Sequence, residues 1–259
     1  MSTGTIAYNR HVQILDTLKQ QGSVRVDELS DMLDVSVVTI RRDLDYLDER
    51  GYLLRTHGGA SVVKSQPNTT PERNYSEKDV DNTEEKQRIA QKAAELIAED
   101  EIIFTNSGST IMFFLRALRG KKVRVITNNA AAIDSQLDPF IEVMILGGEY
   151  RGQSRSFVGE FAINAIRNIY SSHTILGTNG LSIERGLTTT VYQECAVNHA
   201  MIDNTKGKVI VLADYSKMGK VANFVSSSID QVHVVVTDDK CPESFRRELE
   251  ALGITVYAV

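Results

Sequence analysis

Two adjacent guanidinium groups, Arg41 and Arg42, close the run S-V-V-T-I-R-R, which begins at Ser36 and also holds Val38 and Thr39. Arginine can fork onto a guanine edge or a phosphate, serine and threonine hydroxyls reach phosphate oxygens, and methyl-bearing side chains meet the methyl of thymine. A second constellation lies further on. N-S-G-S-T runs from Asn106 to Thr110, and A-D-Y-S-K ends at Lys217. Gly108 permits close backbone approach, and Ser109-Thr110 open a helix whose free N–H groups suit an anion. With Thr127-Asn128 and the cation of Lys217, these hydroxyl, amide and ammonium groups fit a polyhydroxylated, phosphorylated compound better than an apolar one.

The bulk numbers limit the alternatives. In 259 residues, 42% are hydrophobic and 24% charged, a globular composition with room for two ordinary domains. A net charge of -5 argues against indiscriminate coating of nucleic acid, so any DNA contact must be local. Residues 1–60 carry seven Lys/Arg against nine Asp/Glu, so total charge lends that segment no support. Cys195 and Cys241 lack a close-paired spacing, no secretory leader is read, and the five histidines lack zinc-site spacing. A reduced, cytoplasmic protein without metal, cofactor or membrane span is the expectation. There is no G-x-G-x-x-G for a dinucleotide and no G-x-x-x-x-G-K-[ST] for a nucleotide phosphate.

The elements that must hold the arginines are legible from periodicity. His11 to Gln21 reads as a helix stopped at Gly22, Ser23 to Val26 as a short strand, and Asp27 as the cap of a helix through Leu33 that buries Leu29, Met32 and Leu33. Asp34-Val35 is a turn. Ser36 then caps a helix to Arg50, whose Ile40, Leu44 and Leu47 face inward while Val38 and Arg42 face out. Arg55 and His57, before Gly58-Gly59, belong to a two-stranded wing. An exposed Arg-Arg pair alone is an ordinary solvated face; the order helix, helix, turn, capped helix, wing is what points to a DNA groove.

A domain of residues 1–64 therefore precedes an extended connection over 65–82 that contains Pro67 and Pro71. Thr83 is expected to cap a helix to Glu99 with a wet, charged outer face. Apolar runs at 102–104, 123–127, 143–146, 174–176, 209–212, 232–236 and 254–257 then alternate with helical stretches at 110–119, 130–137, 159–170, 192–203 and 243–251. That alternation predicts an α/β domain over 83–259 with a largely parallel sheet, binding its ligand beyond the strand ends.

V-D-E-L-S-D-M-L-D-V-S-V-V-T-I-R-R-D-L-D-Y-L followed by G-Y-L-L-R-T-H-G-G-A resembles the DeoR family of bacterial transcriptional regulators. The likeness continues through N-S-G-S-T, V-I-T-N-N, I-L-G-G-E-Y-R, S-F-V-G, G-L-T-T-T-V-Y-Q-E and A-D-Y-S-K-M-G. It implies a winged helix-turn-helix joined to an effector domain similar in fold to ribose-5-phosphate isomerase. By that resemblance Ser36, Thr39, Arg41 and Arg42 face DNA, Arg55 and His57 support from the wing, and Asp43 orients a neighbouring arginine. Asn106, Gly108, Ser109 and Thr110 would cradle a phosphate with Thr127, Asn128 and Lys217 nearby. Arg151 and Glu194 would contact hydroxyls or a subunit interface. Asn106 and Asn179 stand where many members carry aspartate, which bears on the preferred ligand.

The expected function is a repressor of a carbohydrate-utilisation operon, with operator DNA, a phosphorylated sugar effector and a second or further copies of itself, as homodimer or homotetramer, for partners. An active sugar-phosphate isomerase carrying a DNA-binding head is a second expectation. An activator is a third, since the sign of regulation depends on operator position.

Overall fold

The computed structural model describes residues 10, 11, 13–15, 17, 18, 21–49, 53–56, 58–61 and 72–259. The chain divides into two compact units, Met1–Thr69 and Thr70–Val259.

In the first unit the described residues between 10 and 21 are helical (α1). They are followed by β1 (Ser23–Arg25), α2 (Val26–Leu33), α3 (Val37–Glu49), β2 (Leu54–Thr56) and β3 (Gly59–Ser61). Ile14, Leu18, Val24, Leu29, Ile40 and Leu44 form its core. Asp34 takes the left-handed conformation at φ 50°, which reverses the chain between α2 and α3. Met32, expected inside, is 51% exposed: the buried stripe of α2 runs through Val26 and Leu29 and leaves Met32 outward. The wing is three-stranded, in order β1-β3-β2, because Ser23 to Arg25 pair antiparallel with Gly59 to Ser61. A Cβ on Gly59 would lie 1.9 Å from the Val24 carbonyl oxygen, so only glycine lets the wing cross there.

The second unit opens with α4 (Tyr75–Val80) and α5 (Thr83–Glu95). Residues 75–82 of the expected connection are thus built into this unit, with Tyr75 in its core. Asn82, at φ 50°, precedes α5 in the cap position expected of Thr83. All seven apolar runs become strands of one parallel sheet: β4 (Ile102–Thr105), β5 (Val123–Thr127), β6 (Ile141–Ile145), β9 (His173–Gly177), β12 (Val209–Leu212), β14 (Val234–Thr237) and β15 (Thr255–Ala258). Their order is β15-β14-β12-β9-β4-β5-β6.

Both faces of the sheet are covered. Along β12, Ile210 and Leu212 join the cluster under α5 and α6 (Ser109–Ala117), whereas Val209 and Val211 join the one containing residues of α7 (Glu160–Ile166), α8 (Tyr192–Asp203) and α9 (Glu243–Ala251). Burial on two faces is why these strands read as continuous apolar runs. Two antiparallel additions complete the unit, β7 (Glu149–Arg151) with β8 (Ser156–Val158), and β10 (Gly180–Ser182) with β11 (Gly186–Thr189) and β13 (Phe224–Ser227). The helix expected over 130–137 is a single 3-10 turn, Ala130–Ala132, tied down by the Asn129 side chain accepting from the Ala131 N–H. The one expected over 159–170 ends at Ile166.

Candidate functional site

The first site is the exposed start of α3. Ser36 Oγ accepts from the Thr39 N–H at 3.2 Å and lies 2.9 Å from the Thr39 hydroxyl, so these two groups cap the helix together. Ile40, Leu44 and Leu47 are buried, and Val38, Arg41 and Arg42 are exposed. Among the described residues neither arginine has an ion-pair partner. The nearby acids are spent inside the unit. Asp43 is buried and takes both Arg10 and the His11 ring, the Arg10 Nη2 contact at 3.0 Å. The arginine that Asp43 orients therefore sits on α1. Asp45 and Asp48 hold Arg55, whose Nε donates to Asp45 at 2.9 Å and whose Nη1 donates to the Gly59 carbonyl at 2.9 Å. Arg55 thus braces the wing against α3. His57 lies outside the described residues.

The second site is a cavity of about 360 Å³ at the carboxyl ends of β4 and β9. Strand order reverses here: β5 and β6 lie on one side of β4, and β9, β12, β14 and β15 on the other. Loops leaving neighbouring strands in opposite directions open a crevice at such a point. Asn106, Gly108, Ser109, Thr110 and Lys217 line it. Gly108, at φ 144°, is the cap residue of α6, so the 107–110 loop is the turn from β4 into the first residues of that helix. Asn106 faces the cavity but is occupied, since its Nδ2 donates to the Gly177 carbonyl at 3.0 Å and its Oδ1 accepts from the Gly177 N–H at 2.8 Å.

Three sequence-expected residues do not line the cavity. Thr127 Oγ1 accepts from the Asn129 N–H, and Asn128 Nδ2 donates to the Phe157 carbonyl, so both lock the end of β5, one strand away from the reversal. Arg151 donates to Glu72 at 2.9 Å and fastens the segment before α4. In their place come Lys78 of α4, Lys86 of α5 and Asp214, beside Glu194, which the resemblance had offered for hydroxyl contact or a subunit interface. Lys86 belongs to a helix face read as solvated, yet it is 3% exposed. A charged helical repeat gives no sign that a neighbour will cover it; Asp214 stood beside Lys217 in the A-D-Y-S-K run and carried no separate signal.

Electrostatically the cavity is a cationic pocket with buried acceptors. Burial pushes the Lys78 and Lys86 ammonium groups below their ordinary value, with Glu194 and Asp214 respectively opposing the shift and Lys217 adding to it in both. Burial pushes the Glu194 carboxyl up, against Lys78 and the hydroxyls of Ser156 and Thr189. Ser107, Ser156 and Thr189 donate to Glu194 at 3.3, 3.1 and 3.1 Å. Asp214 is 1% exposed and accepts at Oδ1 from Asn82 and the Ser216 N–H, while its Oδ2 has no hydrogen-bond partner. Ammonium groups short of counter-charge would receive an anion, and the carboxylates would accept from hydroxyls.

A DeoR-like helix-turn-helix domain matches residues 10–66, and the DeoR C terminal sensor domain matches residues 81–239. The chain belongs to the DeoR family. Among its relatives in that family, the glycerol-3-phosphate regulon repressor of Escherichia coli is 34% identical over 93% of this chain and 94% of its own length. The transcriptional regulator GlpR of Haloferax volcanii is 32% identical over 95% and 96%. The putative aga operon transcriptional repressor of Escherichia coli O157:H7 is 32% identical over 99% and 95%. Among solved structures, ribose 5 phosphate isomerase A from Neisseria gonorrhoeae aligns at a TM-score of 0.38 and 22% identity, over 51% of this chain and 52% of that one. At that distance the likeness bears on neither activity nor ligand. No helix among the described residues is long and apolar enough to cross a membrane.

Proposed function

We propose that this DeoR-family chain is a transcriptional repressor of a carbohydrate-utilisation operon whose grip on operator DNA is set by a phosphorylated sugar in the β4/β9 cavity. The observation that carries the reading is the convergence of Lys78, Lys86 and Lys217 on a crevice that also offers the hydroxyl-rich 107–110 loop and the acceptors Asp214 and Glu194. Cations and N–H groups suit the phosphate; buried carboxylate oxygens suit sugar hydroxyls. Ser36, Val38, Thr39, Arg41 and Arg42 contact DNA in this reading, and Arg55 supports them through the wing. Paired half-sites call for a homodimer or homotetramer, working in the cytoplasm. The effector acts by preferring one of two arrangements, because equal affinity for both shifts nothing.

A thermal-shift panel of phosphorylated sugars tests the sensing half. A ligand of the folded chain raises Tm by mass action, and a panel that moves nothing refutes it.

One observation favours a second reading, an active sugar-phosphate isomerase with a DNA-binding head: Glu194 is a buried carboxyl with a raised pKa in the same cavity as Lys78. Three hydroxyl donors already hold that carboxyl as an acceptor, which fits recognition better than proton transfer. Turnover of pentose or hexose phosphates, lost in Lys217→Ala, would decide for the enzyme.

A further inference from the structure

The segment from Glu72 to Asn82 is strapped across the cavity and fastened at both ends. At one end Arg151 donates to the Glu72 carboxylate at 2.9 Å, Gln153 donates to the Glu72 carbonyl at 2.8 Å, and the Tyr75 N–H donates to the Gln153 carbonyl at 2.9 Å. At the other end Asn82 Nδ2 donates to Asp214 at 3.0 Å. Between these anchors, the Lys78 carbonyl accepts both the Ser109 hydroxyl, at 3.1 Å, and the Lys86 ammonium. The strap, the anion-suited loop and a buried cation therefore meet at one carbonyl.

The charge there is unbalanced. Among the described residues no carboxylate lies within ion-pair distance of the Lys78 or Lys86 ammonium; Glu194 and Asp214 act on them through space. Asp214 Oδ2, in a side chain 99% buried, has no hydrogen-bond partner and faces the Lys217 ammonium only at 3.9 Å, so it independently calls for a donor from a ligand.

The geometry points to Lys78 and Lys86 as phosphomonoester-binding residues that act with the 107–110 loop, so that an occupied cavity fixes α4, the first described helix after the boundary at Thr69. This rests on reading the cavity as an anion-sensing site. It gives the ligand's phosphate a direct hold on the residues that follow the DNA-binding unit in the chain. Lys217, on the β12 side and 3.9 Å from Asp214, would serve the same anion.

The test uses the full chain with inorganic phosphate, against chloride at matched ionic strength, and follows hydrogen exchange in peptides covering 72–86 and 106–112. Phosphate should slow exchange in both peptides. Lys78→Met and Lys86→Met should each weaken phosphate about tenfold or more, as expected for a charge-assisted contact. Their ligand-free Tm should hold or rise, because each removes a desolvated charge. Protection confined to 106–112, with both variants binding as wild type, overturns the role of α4 and leaves an anion site standing. A lower ligand-free Tm with unchanged phosphate affinity makes the lysines structural and overturns the proposal too. Wild type that binds no phosphate at all overturns the sensing reading with it.

Discussion

Asn106 brackets Gly177. The side-chain amide gives its N–H to the Gly177 carbonyl and takes the Gly177 N–H on its oxygen, so one residue at the end of β4 pins the end of β9 at 3.0 and 2.8 Å. This double bond of contacts spans the reversal point of the sheet, and an aspartate there could satisfy only one half of it.

Asn106→Ala should therefore cost about 1–3 kcal/mol by stranding a buried donor and acceptor. Denaturant unfolding measures it. A loss within the error of the midpoint would mean that the strand ends hold without the bracket.

Arg42→Ala should weaken operator binding by about 1–3 kcal/mol if the guanidinium forks onto a base, and should leave Tm unchanged because the side chain is exposed. Competition between operator and scrambled DNA separates base reading from phosphate contact. An equal loss on both sequences assigns Arg42 to the backbone.

Asp43→Ala should destabilise the first unit by about 1–3 kcal/mol, since the carboxylate joins α1 to α3 through Arg10 and His11. Its DNA affinity should fall only as far as folding does. Loss of operator binding in a fully folded variant would place Asp43 at the interface instead.

Glu194 gives a pH signature. Burial raises its folded pKa, so the folded chain holds this proton more tightly than the unfolded chain. That contribution is complete below the unfolded value and is lost as pH rises through the folded one. Glu194→Gln removes the titration. The Tm of the variant relative to wild type should climb as pH increases from below the ordinary carboxylate range to above it; a difference flat in pH contradicts the assignment.

How far the sequence can be read depends on which force shapes each part. Val209 to Leu212 and the core of β14 are apolar on both faces, so their strands announce themselves, and α8 and α9 occupy the stretches read as helical. Ser36, Asp34 and the Ile40-Leu44-Leu47 stripe are likewise local signals. The short ribbons β10, β11 and β13 are rich in Ser, Thr and Gly, β7 and β8 are three residues each, and long-range pairing defines all five. Within the cavity, Asn106 to Thr110 and Lys217 follow from the rule of strand ends. Thr127 and Asn128 obey that rule too, but the reversal lies between β4 and β9, and strand order cannot be read from composition. Lys78 and Lys86 escape because tertiary contact, and not their own segment, buries Lys86 and half-buries Lys78.

The most direct measurement is binding of the full chain to the promoter region upstream of its own gene, titrated with and without a phosphorylated sugar that raises its Tm. The account predicts specific binding whose affinity changes with the sugar, with Arg42→Ala weakening the first and Lys217→Met removing only the second. Promoter affinity indistinguishable from that for scrambled DNA, or unmoved by every such sugar, would contradict it.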